Sequence, residues 1–287
     1  MKIVRCPVCL RDPGLSRPDV VVRYPQGPLR IFKCSCGLRF SEYALNGIPP
    51  GLYGHSYYDH VRYRDQEGSN AYLAHLADFF NRGLAATTPE GRKLLDVGCA
   101  TGDFVAWALR AGWEAEGIDI SSDAVEIGKR RNLPVTQADL LALPDPLVRY
   151  DVITLWDVLE HLPDVQSALL VANKVLRPGG LVFLKTVSSF SLLERMARAI
   201  YHLSIGVVDG PLKRFLVPGH LYYFGQKNLE TLLANCGFDL LRLENSDTPS
   251  RALFRSRVMT AAFDLIYFFQ RATRTGYELL AVCRSRQ

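Results

Sequence analysis

Four cysteines form two close pairs near the amino terminus of this 287-residue chain. Cys6 and Cys9 have two residues between them, whereas Cys34 and Cys36 have one. Four thiolates can surround one Zn²⁺ ion tetrahedrally and so hold together a segment too small for a core of its own. An all-cysteine ligand set leaves no open coordination position, so we expect a structural zinc ion. The alternative is a degenerate knuckle whose thiols carry no metal.

The remaining cysteines and the first residues of the chain indicate in which cellular compartment the protein is expected. Cys99, Cys236 and Cys283 stand alone among apolar residues, where a reduced thiol acts as a small buried hydrophobe. A total of seven with this clustering favours reduced thiols over a disulfide framework. No signal peptide is visible, and no apolar run approaches the ~20 residues that span a bilayer. We therefore expect a cytoplasmic protein.

A glycine-bearing turn in the middle of the chain is the second group of residues that could do chemistry. Asp96, Gly98 and Gly102 follow a short apolar run, and Cys99 and Ala100 lie within the turn. Glycine lets the backbone turn tightly and approach a ligand, and a helix that begins after the turn would point free N–H groups at it. The spacing differs from the Gly-x-Gly-x-x-Gly fingerprint of dinucleotide sites. We expect a ligand carboxylate or a ribose to bind here.

Two further aspartates follow the next two apolar runs, so that three successive predicted strands each end at an acidic residue. Asp119 can accept hydrogen bonds from both hydroxyls of a ribose. Asp139, with Leu140 beside it, could meet an exocyclic amine and cover one face of an adenine. The alternative for any one of them is a helix cap or a turn. Three in order after three strands, with the glycine turn at the first, make coincidence a poor explanation.

Apolar runs and helical patterns alternate from about residue 91 to the end of the chain. This alternation predicts an α/β fold with a doubly wound, seven-stranded, mostly parallel sheet, whose ligands bind at the carboxyl ends of the strands. The predicted strands are 93–97, 113–118, 134–138, 150–156, 181–187, 238–243 and 277–283. The predicted helices are 104–111, 122–131, 165–176, 226–236 and 250–270, with an amphipathic stretch at 192–203.

The sequence divides into three regions by composition. Residues 1–40 form the cysteine segment, and residues 41–90 form a connector with a helical pattern and a tyrosine-rich stretch that could fold over a ligand. Residues 91–287 form the α/β domain, in which residues 188–225 interrupt the alternation and are expected to be a substrate lid. The tyrosines of the connector are Tyr53, Tyr57, Tyr58 and Tyr63.

The motifs of the central domain resemble those of class I S-adenosylmethionine-dependent methyltransferases, and are closest to the subgroup that acts on small molecules. The resemblance covers about 91–238, and the amino-terminal cysteine segment separately resembles a zinc ribbon. It departs from the family at Ala100, where glycine is usual and where alanine is tolerated if its φ is negative. The matching segments are 93–102, 117–121, 138–140, 150–162, 176–180 and 220–224.

The resemblance implies a co-substrate, a reaction and a set of binding residues. The co-substrate would be S-adenosyl-L-methionine, and its methyl group would pass to a small organic acceptor, with O-methylation favoured. The resemblance places Asp96 and the Gly98–Gly102 loop around the methionine part. It places Asp119 at the ribose, Ile120, Asp139 and Leu140 around the adenine, and Trp156 near the sulfonium.

Two histidines are the candidates for a catalytic base, which only an acceptor that must lose a proton requires. His161 follows the fourth strand of the domain, and the alternative role for it is a hydrogen bond that fixes the loop or closes over the co-substrate. His220 lies in the lid, where it would contact the acceptor or pack against its neighbours.

The overall composition and charge indicate which kinds of binding partner the protein is expected to have. A 48% apolar and 22% charged chain with a net charge of +5 is typical of a globular protein and disfavours a dedicated nucleic-acid binder. An RNA methyltransferase that uses the basic residues of segment 1–40 is one alternative, and a methyltransferase fold that has become a binding module is another. A third concerns residues 250–270, where arginines and aromatic residues could form a helix at a membrane surface. The sequence gives no indication of the oligomeric state.

Overall fold

The computed structural model describes residues 5–13, 17–47, 66–87, 89, 91–143, 149–254 and 256–287. The four tyrosines of the connector lie outside the described residues. The strands are β1 (Val20–Tyr24), β2 (Gly27–Lys33), β3 (Arg39–Ser41), β4 (Lys93–Val97), β5 (Glu114–Asp119), β6 (Val135–Gln137), β7 (Tyr150–Trp156), β8 (Leu176–Val187), β9 (Tyr222–Tyr223), β10 (Phe238–Ser246) and β11 (Glu278–Ser285).

Helices flank these strands. The α-helices are α1 (Glu42–Asn46), α2 (Gln66–Thr87), α3 (Asp103–Arg110), α4 (Ser122–Arg130), α5 (Val165–Val175), α6 (Leu192–Leu203), α7 (Gln226–Asn235), α8 (Ser250–Leu253) and α9 (Arg257–Ala272). Single-turn or slightly longer 3₁₀ helices cover Leu140–Ala142, Leu159–His161 and Gly210–Arg214. Among the described residues, no helix is both long and apolar enough to cross a bilayer.

Seven strands form the central sheet, in the order β10-β11-β8-β7-β4-β5-β6. The strands from β8 to β6 in this order are parallel, and β11 runs antiparallel between β8 and β10. The predicted fold class is therefore confirmed. The chain moves outward from β4 to β6 and then returns to place β7 beside β4. Ligands of such sheets bind at the carboxyl ends of the strands beside this reversal.

Short polar residues begin several helices. Ser121, Asp164 and Ser191 accept hydrogen bonds from backbone N–H groups in the first turns of α4, α5 and α6. The same chemistry corrects the single helix predicted at 250–270. Ser256 accepts a hydrogen bond from the Met259 N–H and starts α9, after Phe254 has ended α8 in an extended conformation.

The boundary between α5 and β8 also differs from the prediction. The helix ends at Val175, and β8 starts at Leu176 rather than at residue 181. The Pro178-Gly179-Gly180 sequence is thus part of the strand segment. Tyr150 pairs with Leu176 and Val152 pairs with Leu181, so the register shift between these pairs accommodates the extra residues.

A second sheet joins the amino-terminal segment to the predicted lid. Its order is β1-β2-β3-β9, and Arg39 of β3 pairs with Tyr223 of β9. Val22 and Ile31 of this sheet share a buried cluster with Leu212 from the lid. The amino-terminal segment therefore packs along segment 188–225, although the boundaries of the three regions remain a prediction.

Candidate functional site

The turn between β4 and α3 requires glycine at two positions. Gly98 and Gly102 have φ values of +70° and +80°, which L side chains rarely adopt. A Cβ on Gly98 would lie 2.3 Å from Cγ2 of Val158, and one on Gly102 would lie 2.9 Å from Cδ1 of Leu133. The turn is held against β5, because the Gly98 N–H donates to the Ile118 carbonyl over 2.8 Å. It thus presents close backbone at the carboxyl end of β4.

Ala100 lies in the same turn and contradicts the expectation of a negative φ. Its φ is +47°, in the left-handed region, where an alanine costs roughly 1–2 kcal/mol. The Ala100 N–H donates to Oδ2 of Asp119 over 2.8 Å. A hydrogen bond to a carboxylate is among the stronger ones in proteins, so this contact offsets the strain.

Asp96 is buried at the end of β4. Its Oδ1 accepts a hydrogen bond of 2.6 Å from the Thr154 hydroxyl on the neighbouring β7. Burial raises the pKa of Asp96 to about 7, and the nearby charge of Asp119 acts in the same direction. A cationic group placed beside it, such as an α-amino group, would bind the ionised form.

Asp119 organises the end of β5. One carboxylate oxygen accepts from the Ala100 N–H and the other accepts from the Ser121 N–H, each over 2.8 Å. Burial raises the pKa of Asp119, against these hydrogen bonds. Each carboxylate oxygen has two acceptor sites, so both can still receive a hydroxyl hydrogen. The residue therefore links the glycine turn to the position predicted for a ribose.

Replacing Asp119 by alanine is expected to weaken binding of S-adenosylmethionine by about 1–3 kcal/mol, because ribose hydroxyl partners are left unmade. Asp119→Asn keeps one acceptor oxygen, so its affinity for S-adenosylmethionine should fall less than that of Asp119→Ala. Isothermal titration measures both changes. Exposed Glu126, about one turn into α4, provides the control as Glu126→Gln. Unchanged affinity in Asp119→Ala would remove the ribose assignment.

The residues predicted to surround the adenine differ in exposure. Ile120 is 66% exposed and projects from the end of β5. Asp139 is also exposed, and its Oδ1 accepts from the Leu141 N–H over 2.9 Å, so it caps the 3₁₀ helix Leu140–Ala142. Leu140 is 3% exposed and packs in the core. Ile120 and Asp139 can thus meet a ligand with their side chains, whereas Leu140 offers little side-chain surface.

Trp156 ends β7 with its indole inside the protein. The ring is 8% exposed and lies edge-on to Phe104, with centroids 5.1 Å apart. Its Nε1 has no hydrogen-bond partner among the described residues. A buried indole N–H usually has a partner, so this atom is suited to a ligand or a water molecule.

A buried ionic cluster beyond Trp156 was not predicted from the sequence. Lys185 of β8 is 4% exposed, and its Nζ donates to Asp157 over 2.5 and 2.8 Å and lies 3.0 Å from Oε1 of Glu278. Burial alone would raise the pKa of Glu278, but Lys185 and His75 hold it at about 2. Tyr72 of α2 donates to Asp157, so this helix is tied to the carboxyl edge of the sheet.

One sequence signal could have found this cluster. Lys185 interrupts the apolar run 181–187, and a lysine inside a buried strand is almost always paired. Its partner Glu278 lies 93 positions later along the chain. Only the sheet topology brings the two together, through the pairing of β11 with β8.

The two candidate catalytic histidines are brought together. The rings of His161 and His220 lie 4.8 Å apart and are nearly perpendicular. Nδ1 of His161 is 3.0 Å from the Gly219 carbonyl, and since a carbonyl only accepts, Nδ1 carries the hydrogen. Burial lowers the pKa of both rings below the ordinary 6.5, so both are neutral at pH 7. The hydrogen bond to Gly219 corresponds to the loop-fixing alternative for His161.

Glu160 lies directly beside these rings and was not predicted as a site residue. Its Oε2 accepts from the Thr186 hydroxyl over 2.8 Å, while Oε1 has no partner among the described residues. Burial and the charge of Asp157 raise the pKa of Glu160 to about 8. Glu160, His161 and His220 each offer a ligand atom within 4.8 Å of the others, so the donor set could also hold an ion.

The raised pKa of Glu160 predicts a pH dependence of stability. The folded carboxyl keeps its proton to about pH 8, whereas the unfolded one loses it near its ordinary value of 4.5. The folded state then binds more protons in this window, so the free energy of unfolding falls as the pH rises through it. Glu160→Gln should reduce this slope by up to about 1.4 kcal/mol per pH unit.

Denaturant melts of both proteins from pH 5 to 8 measure the slope. Glu230→Gln, at an exposed position of α7, is the control and should leave the slope unchanged. An identical slope for the wild type and Glu160→Gln would show that Glu160 is already ionised in the folded protein.

The four amino-terminal cysteines converge on one point. The Sγ atoms of Cys6 and Cys36 lie 3.6 Å apart, as do those of Cys9 and Cys34. In a tetrahedron with metal–sulfur distances of about 2.3 Å, sulfur atoms are about 3.8 Å apart. All four ligand atoms lie within 4.8 Å of one another. The one-residue spacing of the second pair is therefore compatible with a tetrahedral site.

Side chains of α7 fix the two cysteine loops to the central domain. Nδ2 of Asn228 donates to the Cys36 carbonyl over 3.0 Å and lies 4.0 Å from its Sγ. Nδ2 of Asn235 donates to the Val8 carbonyl over 3.1 Å. The cysteine cluster is thus part of the same packed core as α7.

A buried ionic group connects the amino-terminal segment to segment 188–225. Asp19 accepts from Arg39 over 3.1 Å and from Arg198 of α6 over 2.9 Å. Arg39 also donates to the Ser189 carbonyl over 3.2 Å. Glu194 of α6 completes the group through its contact with Arg198. The amino-terminal segment therefore contacts the residues just before α6 and the middle of this helix.

A glycine turn after the first parallel strand and aspartates at the next strand ends are typical of α/β proteins that bind a nucleotide-like ligand at the carboxyl edge of the sheet. Residues 66–243, more than half of the chain, match the family model described as a methyltransferase domain, and the chain belongs to this family.

Named relatives agree with this membership. The ubiquinone biosynthesis O-methyltransferase of Proteus mirabilis is 35% identical over 40% of this chain and 48% of its own length. A demethylmenaquinone methyltransferase of Staphylococcus aureus is 28% identical over 54% of this chain and 71% of its own. The chain thus spans about half the length of the first relative.

The fold itself has a solved counterpart. The structure of a SAM-dependent methyltransferase from Archaeoglobus fulgidus superimposes with a TM-score of 0.55 at 16% identity. The match covers 80% of this chain and all of that protein. At this level of identity the likeness is evidence for the fold alone.

Proposed function

We propose that the protein transfers the methyl group of S-adenosylmethionine to the oxygen of a small aromatic acceptor such as a phenol or quinol. The observation that carries this proposal is the arrangement at the carboxyl edge of the sheet. There the glycine turn, Asp119 and Trp156 follow or end three neighbouring strands, and neutral His161 lies beside neutral His220 of segment 188–225. The names of the quinone-pathway relatives support the same acceptor class.

The methionine and nucleoside parts of the co-substrate have separate binding residues in this proposal. Asp96 and the backbone of Gly98, Cys99, Ala100 and Gly102 hold the amino-acid part. Asp119 accepts from the ribose, Ile120 and Asp139 flank the adenine with the Leu140 backbone beside them, and Trp156 borders the sulfonium. Binding and alignment supply most of the catalysis, because the sulfonium methyl is already activated.

The proton balance of the step assigns a role to the histidines. The acceptor oxygen attacks the methyl carbon, the carbon–sulfur bond breaks, and its electron pair stays on sulfur to give S-adenosylhomocysteine. The acceptor proton passes to Nε2 of a neutral imidazole, because Nδ1 of His161 already carries a hydrogen. His161 receives the proton, and His220 supports it from the lid.

A structural zinc ion in the cysteine cluster is part of the proposal. Cys6, Cys9, Cys34 and Cys36 would hold it, since their sulfur spacing matches a tetrahedral site. Burial raises the pKa of Cys36 to about 11, so a bound cation is what would make this sulfur a thiolate at pH 7. The ion would stabilise the segment that fixes α6.

An acceptor screen tests the proposed reaction. Purified protein is incubated with methyl-labelled S-adenosylmethionine and, separately, a catechol, an aliphatic amine and bulk RNA. We expect label in the catechol ether with an equal amount of S-adenosylhomocysteine. His161→Ala should lower kcat by about 10²–10⁴-fold while leaving the affinity for S-adenosylmethionine unchanged.

The other outcomes separate the alternatives. Label in RNA alone would favour the RNA methyltransferase. Failure to bind S-adenosylmethionine at all would favour a binding module with a methyltransferase fold. Wild-type kcat in His161→Ala would leave His161 with only the loop-fixing hydrogen bond to Gly219.

A further inference from the structure

Helix α9 has apolar side chains on the face that it turns toward solvent. Its inner face packs Tyr267 and Gln270 into the protein. The residues of the opposite face recur every three or four positions and form one stripe along the helix. Leu265 and Phe268 on this stripe are 61% and 62% exposed. The stripe consists of Val258, Ala261, Ala262, Leu265, Phe268 and Phe269.

This pattern is unusual for a surface helix. A helix that packs on its own domain usually has polar residues on its outer face, and one that is apolar all round is covered on both sides. Within α9, the only charged residues are Arg257, Asp264 and Arg271. Asp264 is exposed, and its Oδ1 accepts a hydrogen bond of 2.6 Å from the Ser250 hydroxyl.

The charge around α9 indicates what covers the stripe. Residues 250–275 contain five arginines and one aspartate, a surplus of four positive charges in a chain whose total is +5. Arg257 in the first turn and Arg271 in the last are about 40° apart around the helix axis, so both lie along one flank of the stripe. Exposed aromatic and aliphatic side chains flanked by arginines fit a layer of anionic headgroups over hydrocarbon.

We propose that α9 lies on the surface of an anionic lipid bilayer, with Leu265, Phe268 and Phe269 in the acyl boundary and the arginines at the headgroups. A second copy of the chain on the same stripe would bring two arginine-rich surfaces together, so charge disfavours it. With 16 residues, α9 is about 24 Å long, which is shorter than the hydrocarbon core of a bilayer, so it lies in the plane of the interface. This inference does not depend on the reaction that the protein catalyses.

Vesicle flotation of the full chain tests the surface. We expect the wild type to float with vesicles of phosphatidylcholine and phosphatidylglycerol, and to float much less with phosphatidylcholine alone or at high salt. The double substitution Phe268→Gln and Phe269→Gln should lower the partition coefficient by about tenfold or more. Arg257→Gln and Arg271→Gln should each lower it by about fivefold, and only on anionic vesicles.

The control is Leu170→Gln on α5, which removes a leucine that is 52% exposed elsewhere. It should float like the wild type, and circular dichroism should show that all variants are folded. A wild type that stays in solution with both vesicle types would overturn the proposal. Sedimentation velocity would then measure whether the chain self-associates. Self-association that the phenylalanine double variant loses would assign the stripe to a second copy of the chain.

Discussion

Gly98→Ala is expected to weaken the binding of S-adenosylmethionine by about a hundredfold and to lower the free energy of unfolding by about 2–4 kcal/mol. Two effects add. Gly98 has a φ of +70°, which disfavours alanine, and the new Cβ would lie 2.3 Å from Cγ2 of Val158. Relief of the clash must shift the Val158 side chain or the turn, and a shift of the turn displaces the backbone that would hold the methionine part. Isothermal titration and chemical denaturation measure the two losses.

Two further variants separate the effect of the backbone strain at positive φ from the effect of the steric clash with Val158. Gly179→Ala has a comparable φ of +72°, but nothing lies within 4 Å of its Cβ position. It should cost about 1–2 kcal/mol in stability and leave the affinity unchanged. Adding Val158→Ala to Gly98→Ala removes the colliding methyl groups and should restore part of the affinity. Equal effects of Gly98→Ala and Gly179→Ala would contradict close packing of the turn.

Cys34→Ser is expected to abolish zinc binding and to lower the free energy of unfolding by about 4 kcal/mol or more, in the range caused by loss of a metal. The purified wild type should contain one zinc ion per chain, because the four sulfur atoms provide one tetrahedral site. Elemental analysis by mass spectrometry and denaturant melts are the measurements. Cys236→Ser is the matched control, since Cys236 is a buried cysteine of the same core outside the cluster. It should keep the zinc.

Loss of zinc should also alter acceptor binding. The cysteine loops lead into β3, which pairs with β9 beside His220, and Asp19 and Arg39 hold α6. We therefore expect Cys34→Ser to raise the KM for the acceptor while the affinity for S-adenosylmethionine stays near that of the wild type. A wild type without zinc, or a Cys34→Ser variant with normal zinc content, would contradict the assignment.

Much of the central domain could be predicted from the sequence, because its elements are signalled locally. Buried parallel strands such as β7 give continuous apolar runs, and Ser121 marks the start of α4 with a cap. The single helix predicted at 250–270 was wrong because Ser256 competes as a new start within an otherwise helical pattern. The pairing of β3 with β9 was not predicted, since the two strands are separated by some 180 residues and one contains only two.

The site was predictable in its residue types and less so in its contacts. The positions of Asp96 and Asp119 follow from the ends of their strands. The left-handed conformation of Ala100 does not, because the hydrogen bond that the Ala100 N–H donates to Asp119, and that offsets the strain, is a tertiary contact. The cluster of Lys185, Asp157 and Glu278 likewise depends on distant strands that meet in the sheet. Charged groups far apart in the chain leave no periodic signal in the sequence.

A crystal structure of the protein with S-adenosylhomocysteine tests the central claim most directly. We expect the ribose hydroxyls within hydrogen-bond distance of Asp119, the amino-acid part against the Gly98–Gly102 turn, and the sulfur atom near Trp156, facing His161. A nucleoside bound at any other place, or an empty carboxyl edge at saturating ligand, would contradict it.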